Sequence, residues 1–290
     1  MDTVLTGKNG TDVIIGGNQP TILIGERINP GGGSRKKLTR ALVDRDVAYI
    51  QAEALTQVEA GADILDINIQ AADVTDEPET LAWTIETVAD VVDIPFSIDT
   101  NNPEALKVAL ESVPGRPLVN SVNGEKSSIE KVLPLVAEHH CVVIGLAMDE
   151  SGIPDTARGR MEAAQRLVRQ AEAYGIEPED FLIDTLTLTV GADHTAARTA
   201  MDAMELVAKE LGMNLTAGAS NVSFGLPRRA MINAAYLPMA IAKGLNSAIV
   251  DPTKVRSIIR AADLLAGRDK HAARFLADFR QETESQAQEG

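Results

Sequence analysis

Short β-branched apolar runs alternate with longer amphipathic segments eight times along this chain, and no other feature constrains its fold so strongly. The runs fall at 21–25, 63–67, 95–99, 118–120, 141–146, 181–184, 215–217 and 247–250. Segments with helical spacing follow them, around 40–60, 79–92, 103–112, 128–139, 157–174, 194–211, 228–243 and 253–266. A strand followed by a helix is the unit from which parallel sheets are built. Eight units in series predict an α/β chain closed into a (β/α)8 barrel of the TIM type. A doubly wound dinucleotide fold would want a Gly-x-Gly-x-x-Gly turn after an early strand. Gly31-Gly32-Gly33 lacks that spacing, and Gly33-Ser34-Arg35-Lys36 makes no phosphate loop.

The punctuation agrees with the periodicity. Asn102-Pro103 and Asp251-Pro252 each place a capping side chain before a proline at the first helical position. Ser127-Ser128-Ile129-Glu130 reads as a capping box with Ser127 as the cap, and Gly61 and Gly175 stand where helices end. Ahead of the first barrel strand, Val4-Leu5-Thr6 and Val13-Ile14-Ile15 flank an Asn9-Gly10 turn signal. Residues 1–20 are therefore expected to form a hairpin closing the N-terminal end of the barrel. The barrel itself is expected over 21–280, with a polar tail at 281–290.

Composition narrows the function classes. Aromatic residues make up only 3% against 44% hydrophobic, so Ala, Val, Ile and Leu must build the core. No apolar run reaches the roughly 18–20 residues that span a bilayer, and Met1-Asp2-Thr3-Val4 opens no signal peptide. The single cysteine, Cys141, permits neither an intramolecular disulfide nor a thiolate-rich zinc site. A cytoplasmic protein with no membrane partner is expected. The net charge of −15, with no basic cluster beyond Arg35-Lys36-Lys37, argues against nucleic acid.

Barrel enzymes place their chemistry at the C-terminal ends of the strands, because only those loops converge on one cavity. Here the first strand ends in Glu26-Arg27-Ile28-Asn29, the second in Asp66-Ile67-Asn68 and the third in Asp99-Thr100-Asn101-Asn102. The fourth ends in Asn120-Ser121-Val122-Asn123, the sixth in Asp184-Thr185 and the seventh in Ser220-Asn221-Val222-Ser223. Any one of these could be a cap or an Asx turn, and Asn102 is best read so. Asp66 lies inside an apolar stretch, where orienting its neighbours is a further role. Asp99, Asn120 and Asp184 end buried runs, where an unpartnered carboxylate is costly. Repeated around one rim, they favour a ligand. Paired acceptors beside a carboxamide match a 2-amino-4-oxo-pyrimidine edge, as in a pterin or guanine. The rim holds no histidine, so it suits a metal poorly; His139-His140 read as helix-end residues, and no serine triad is recognisable.

Taken in order, these stretches resemble a known family. They are Ile24-Gly25-Glu26-Arg27-Ile28-Asn29, Leu65-Asp66-Ile67-Asn68, Ile98-Asp99 with Asn102-Pro103, and Val119-Asn120-Ser121. Ile144-Gly145-Leu146-Ala147-Met148-Asp149, Ile183-Asp184 and Ala219-Ser220-Asn221-Val222-Ser223-Phe224-Gly225-Leu226-Pro227 continue the series. The chain is similar, from about Ile22 to Arg280, to the methyltetrahydrofolate:corrinoid methyltransferases and to the folate module of cobalamin-dependent methionine synthase. The resemblance implies a dihydropteroate-synthase-like pterin-binding barrel. It implies a methyl group moving between N5 of tetrahydrofolate (5-methyltetrahydrofolate when loaded) and the cobalt of a corrinoid on a partner protein. The direction stays open. It implies a homodimer, and substrate contacts from Asp66, Asn68, Asp99, Asn120, Asp184, Asn221 and Arg229. Asn221 is the implied catalytic residue, donating to N5 as that nitrogen gains charge. No metal ligand is implied. Thr185 departs from the proline common after the sixth-strand aspartate.

Two rivals remain at this stage. Dihydropteroate synthase shares the barrel but needs a basic anion site late in the chain, and Ser247-Ala248-Ile249-Val250-Asp251-Pro252 lacks its Arg-x-His pattern. A non-catalytic folate-binding subunit is distinguished only by turnover.

Overall fold

The computed structural model describes residues 1–31, 35–71 and 73–280. The predicted polar tail, 281–290, lies outside the described residues. The strands β1 (Asp2–Thr6) and β2 (Asp12–Gly16) pair antiparallel, and Gly10 takes the left-handed conformation the turn requires. Eight parallel strands follow: β3 (Ile22–Ile28), β4 (Ile64–Ile67), β5 (Phe96–Asp99), β6 (Leu118–Gly124), β7 (Val142–Asp149), β8 (Phe181–Asp184), β9 (Asn214–Thr216) and β10 (Ser247–Val250). They are ordered β10-β3-β4-β5-β6-β7-β8-β9. The sheet closes where Ile249 N–H donates to the Ala217 carbonyl at 2.9 Å and Gly218 bridges Ile249. The predicted TIM-type barrel is therefore formed.

Alternation along each strand sorts the side chains into two layers. Ile22, Ile24, Ile64, Leu118, Val142, Ile144 and Leu182 point inward and pack with Leu5 and Ile15 of the hairpin. The hairpin thus plugs the N-terminal end of the barrel, as expected. Asn214 ties it there, donating to Thr3 Oγ1 at 3.0 Å and to the Ile15 carbonyl at 2.9 Å. Leu23, Leu65, Ile67, Ile98, Val119, Val143 and Ile183 point outward into the larger core beneath the helices. Gly145 of β7 is dictated by that layer. A Cβ there would stand 2.1 Å from the Phe181 ring.

The helices are α1 (Lys36–Val43), α2 (Val47–Glu59), α3 (Glu77–Ala89), α4 (Pro103–Ser112) and α5 (Lys126–Glu138). Continuing around the barrel are α6 (Ala157–Glu172), α7 (Ala196–Leu206), α8 (Arg229–Ala242) and α9 (Pro252–Leu265). Asn102 and Asp251 cap α4 and α9 as predicted. Two expectations are corrected. The segment 40–60 is two helices, because Arg45 turns left-handed and Asp46 caps a new start through Tyr49 N–H. The capping box does not form: α5 begins before Ser127, the Ser128 hydroxyl accepts from Asn123 N–H, and Glu150 accepts from Lys126 N–H. Among the described residues no helix is long and apolar enough to cross a membrane.

Candidate active site

The inward alternation that buries the hydrophobic layer also builds the site. Two residues further along the same face stand Glu26 after Ile24, Asp66 after Ile64, Asn120 after Leu118 and Asp184 after Leu182. On these four strands the apolar floor residue carries a polar residue one step nearer the mouth, whereas on β7 Ile144 is followed by Leu146. Asp99 sits likewise above Ser97, its register partners being Asn120 on the next strand and, through Ser97, Asp66.

Asp66 lies lowest, 1% exposed. Its Oδ1 accepts from Ser97 Oγ at 2.6 Å and from Asn120 Nδ2 at 3.3 Å. Burial, reinforced by the nearby Asp99 carboxylate, holds Asp66 well above the usual carboxylate range. Because the Asn120 nitrogen is committed downward, its carbonyl oxygen is the group left for a ligand. Asp99 is half-buried; burial raises its pKa while a hydrogen bond from Asn68 opposes the rise. Asn68 is itself fixed, its Oδ1 accepting from Gln70 N–H at 2.9 Å. Glu77 of α3 gathers this side of the mouth: it accepts from Thr100 Oγ1 at 2.5 Å, Asn102 Nδ2 at 3.2 Å and Gln70 Nε2 at 3.2 Å. A cleft of about 360 Å³ opens here, lined by Asp99, Asn120, Ser121, Asn123 and Leu146 among others.

Across the barrel Asp184 is 8% exposed, and burial pushes its carboxyl up to about 6. The Leu186 N–H donates to its Oδ1 at 2.7 Å, and the Gly218 N–H also reaches it. The loop that carries it is clamped from below. Arg160 of α6, 3% exposed, donates to the carbonyls of Thr185 at 2.9 Å, Leu186 at 2.7 Å and Pro154 at 2.9 Å. Thr185, the departure from the family pattern, is wholly buried and donates to the Ala200 carbonyl at 3.2 Å. Thr187, also buried, shares a 2.7 Å hydrogen bond with the Tyr236 hydroxyl.

Asn221 stands exposed on the loop after β9, where a Cβ on Gly218 would come within 2.9 Å of its Nδ2. The loop is braced to its neighbour by Val190 N–H on the Val222 carbonyl at 3.0 Å and Thr189 Oγ1 on the Phe224 carbonyl at 2.7 Å. Arg229 does not hang free in the mouth. It donates to the Ser220 carbonyl at 2.8 Å and Ser223 Oγ at 3.1 Å, with its guanidinium 5.9 Å from the Phe224 ring. Ser220 Oγ reaches across to Glu26 Oε1 at 2.7 Å. Burial raises the Glu26 pKa and the Asp251 charge adds to it, while the Ser220 hydrogen bond and the charges of Arg35 and Arg229 oppose the rise. Among the described residues no group of His, Cys, Asp and Glu side chains is arranged to hold a metal ion. The arrangement is a set of acceptors at the C-terminal ends of the strands, with one carboxamide and one arginine together on the segment that follows β9.

The chain matches the pterin binding enzymes over residues 25–251, from within β3 to just past the end of β10. It belongs to that family. Within it, a methylcorrinoid:tetrahydrofolate methyltransferase from Eubacterium limosum is 30% identical over 266 residues, covering 90% of this chain and 96% of that relative. The methionine synthase of Mycobacterium tuberculosis is 32% identical over 249 residues, 81% of this chain but only 20% of that much longer protein. Among solved structures, a dihydropteroate synthase from Yersinia pestis superposes with a TM-score of 0.66 at 16% identity, covering 91% of this chain and 98% of that one. That of Stenotrophomonas maltophilia gives 0.62 at 22% identity, over 87% and 95%. Both likenesses concern the fold of this pterin-binding barrel.

Asp99 and Asn120 thus line one cleft and Asp184 pairs in register with Leu146 of its lining, while Asp66 lies behind Asn120, Asn68 donates to Asp99, and Asn221 and Arg229 are tied together on the segment after β9. Reading from sequence overlooked Arg160, Glu77 and the Glu26–Ser220 contact. A signal for Arg160 was present: it falls on the stripe of Ala164, Leu167 and Ala171, where an arginine must find buried acceptors.

Proposed function

We propose that this pterin-binding enzyme moves a methyl group between N5 of tetrahydrofolate and the cobalt of a corrinoid carried by a separate protein. The observation that carries this is the match along almost its whole length to a relative named for that reaction. The site fits the chemistry. Asp99, Asp184 and the Asn120 carbonyl accept the N–H groups of the pterin edge, while Asp66 and Asn68 hold Asn120 and Asp99 in place. Asn221 donates to N5. A methyl group on N5 leaves poorly from a neutral tertiary amine, so a hydrogen bond that strengthens as N5 gains positive charge lowers the barrier selectively. Arg229 acts by holding the Asn221 loop.

We take residues 21–280 as one catalytic unit closed by the hairpin at 1–20, working in the cytoplasm as a homodimer without nucleic-acid or membrane partners. Sedimentation of the purified protein checks the dimer. Dihydropteroate synthesis is disfavoured because the cations at the end of the last strand are already matched by carboxylates: Arg27 pairs with Glu53 at 3.0 Å and Asp251 at 3.6 Å, and Lys254 with Asp251 at 2.8 Å.

The test is an anaerobic mixture of protein, tetrahydrofolate and methylcobalamin, followed by the appearance of cobalt(I) absorbance, with the reverse run from 5-methyltetrahydrofolate and cob(I)alamin. Protein-dependent change in either direction establishes the reaction. Folate binding without turnover, even with a cognate corrinoid protein, would leave a binding subunit, and no folate binding would overturn the proposal.

A further inference from the structure

The Glu26–Ser220 hydrogen bond joins the first barrel strand to the residue immediately before Asn221. A simple clamp could explain it, since it spans the mouth at the point where the sheet closes. A clamp does not need a carboxylate, however, and this position is a poor one for a permanent negative charge. Glu26 is half-buried and meets the field of Asp251 at the end of β10 and of Asp66 on β4. The charges of Arg35, just before α1, and of Arg229 of α8 act on it with the opposite sign, and neither forms an ion pair with it among the described residues. The balance leaves its pKa raised, so that its proton is exchanged nearer neutrality than that of a free glutamate.

The proposed methyl transfer must also exchange a proton at N5, the atom assigned to Asn221, which directly follows Ser220. When methylcobalamin donates to tetrahydrofolate, the N5–carbon bond forms and the cobalt–carbon bond breaks. The electron pair of the broken bond stays with cobalt, which is reduced from cobalt(III) to cobalt(I), and the N5 proton must leave. In the opposite direction N5 must gain that proton before its methyl departs. The Asn221 carboxamide can donate a hydrogen bond but cannot take up a proton near neutral pH. A hydroxyl can accept on one side and donate on the other. We infer that Glu26 is the proton-exchanging group of this site, acting through the Ser220 hydroxyl to receive the N5 proton and to return it when the reaction runs backwards. This rests on the proposed methyl transfer. It assigns Glu26 a positioning and relay role in which it does not touch the folate.

The experiment is single-turnover methyl transfer from methylcobalamin to tetrahydrofolate, from about pH 5 to about pH 9, with the wild type and the Glu26→Gln, Ser220→Ala and Ser220→Thr variants. Glutamine keeps the clamp but not the proton. Glu26→Gln should slow transfer by about 100-fold near neutral pH and remove an ionisation from the pH–rate profile, with folate affinity within about threefold of wild type. Ser220→Ala should reproduce that profile, and Ser220→Thr should restore the rate to within about threefold. Wild-type rate and profile in Glu26→Gln would overturn the inference. So would a variant that loses folate binding and rate together while keeping the wild-type profile, because that is the behaviour of a clamp. Folate binding and turnover by the wild type are measured first. If they are absent, the proposed function has failed and this role falls with it; if they are present, the variants judge the relay alone.

Discussion

Asn120 Nδ2 donates to Asp66 Oδ1 at 3.3 Å, and this contact decides which end of the Asn120 carboxamide faces the cavity. Ser97 Oγ shares the same acceptor at 2.6 Å, so Asp66 is the common anchor of two strands beneath the site. Asp66→Ala should leave both donors without a buried partner. The expected cost is about 1–3 kcal/mol of stability, with folate affinity weakened as Asn120 becomes free to turn. Chemical denaturation and calorimetric folate titration check both. An unchanged midpoint with unchanged affinity would remove Asp66 from the support of the site.

Arg160 holds the loop after β8 by two backbone carbonyls, those of Thr185 and Leu186, and ties it to the segment before α6 through that of Pro154. A lysine at this position offers one point charge in place of a planar fork and cannot meet that geometry. Arg160→Lys should therefore behave much like Arg160→Met, both losing about 1–3 kcal/mol of stability and weakening folate binding through Asp184. A lysine variant indistinguishable from wild type in melting and in folate affinity would contradict this account.

The barrel was legible in the sequence because its two periodicities are strict. Ile22 and Ile24 face in while Leu23 faces out, and the same parity carries Asp66, Asn120 and Asp184 to the cavity. What was not legible depends on closure. Glu26 and Ser220 are 194 positions apart and meet only because β9 and β10 complete the ring beside β3. The false capping box has a local cause of the same kind. Ser127 had the right spacing from Glu130 for a helix start, but α5 has already begun at Lys126, where Glu150 from the next loop serves the first turn, and a backbone N–H from the preceding strand end occupies the neighbouring Ser128 hydroxyl. Arg160 was overlooked, although it falls on the buried stripe of α6, because arginine is so rarely buried that it is assigned to the surface by residue type.

Asp184 should govern how folate binding and stability respond to pH. Its carboxyl titrates at about 6 in the folded chain against an ordinary 3.8. Between those values the folded state binds more proton at this site than the unfolded state does. The stability it contributes is therefore fully present below about pH 3.8 and is lost as pH rises through about 6. Relative to the wild type, Asp184→Asn should gain stability across that window, because the amide has no proton to release. Folate affinity moves the other way: it should fall in the wild type as the pH drops through about 6 and be weak and flat in the variant. Urea midpoints and folate titrations between pH 4 and about pH 8 check both signs. Parallel stability curves for the two proteins would refute the assignment.

Asn221 is exposed after β9, on a loop fixed by Arg229 and by the loop that follows β8, so removing its side chain should disturb chemistry more than structure. Loss of a donor aimed at developing charge typically slows a reaction by about 100-fold. Asn221→Ala should accordingly slow methyl transfer by at least about tenfold while weakening folate binding only a few-fold and leaving the melting temperature near that of the wild type. Arg229→Ala provides the contrast. It loosens the loop from the Ser220 carbonyl and Ser223 hydroxyl, so stability and rate should fall together. Single-turnover rates at saturating tetrahydrofolate separate the two, since saturation removes the contribution of binding. A wild-type rate in Asn221→Ala under those conditions would mean that N5 finds its hydrogen bond elsewhere, and the assignment of this carboxamide would be withdrawn.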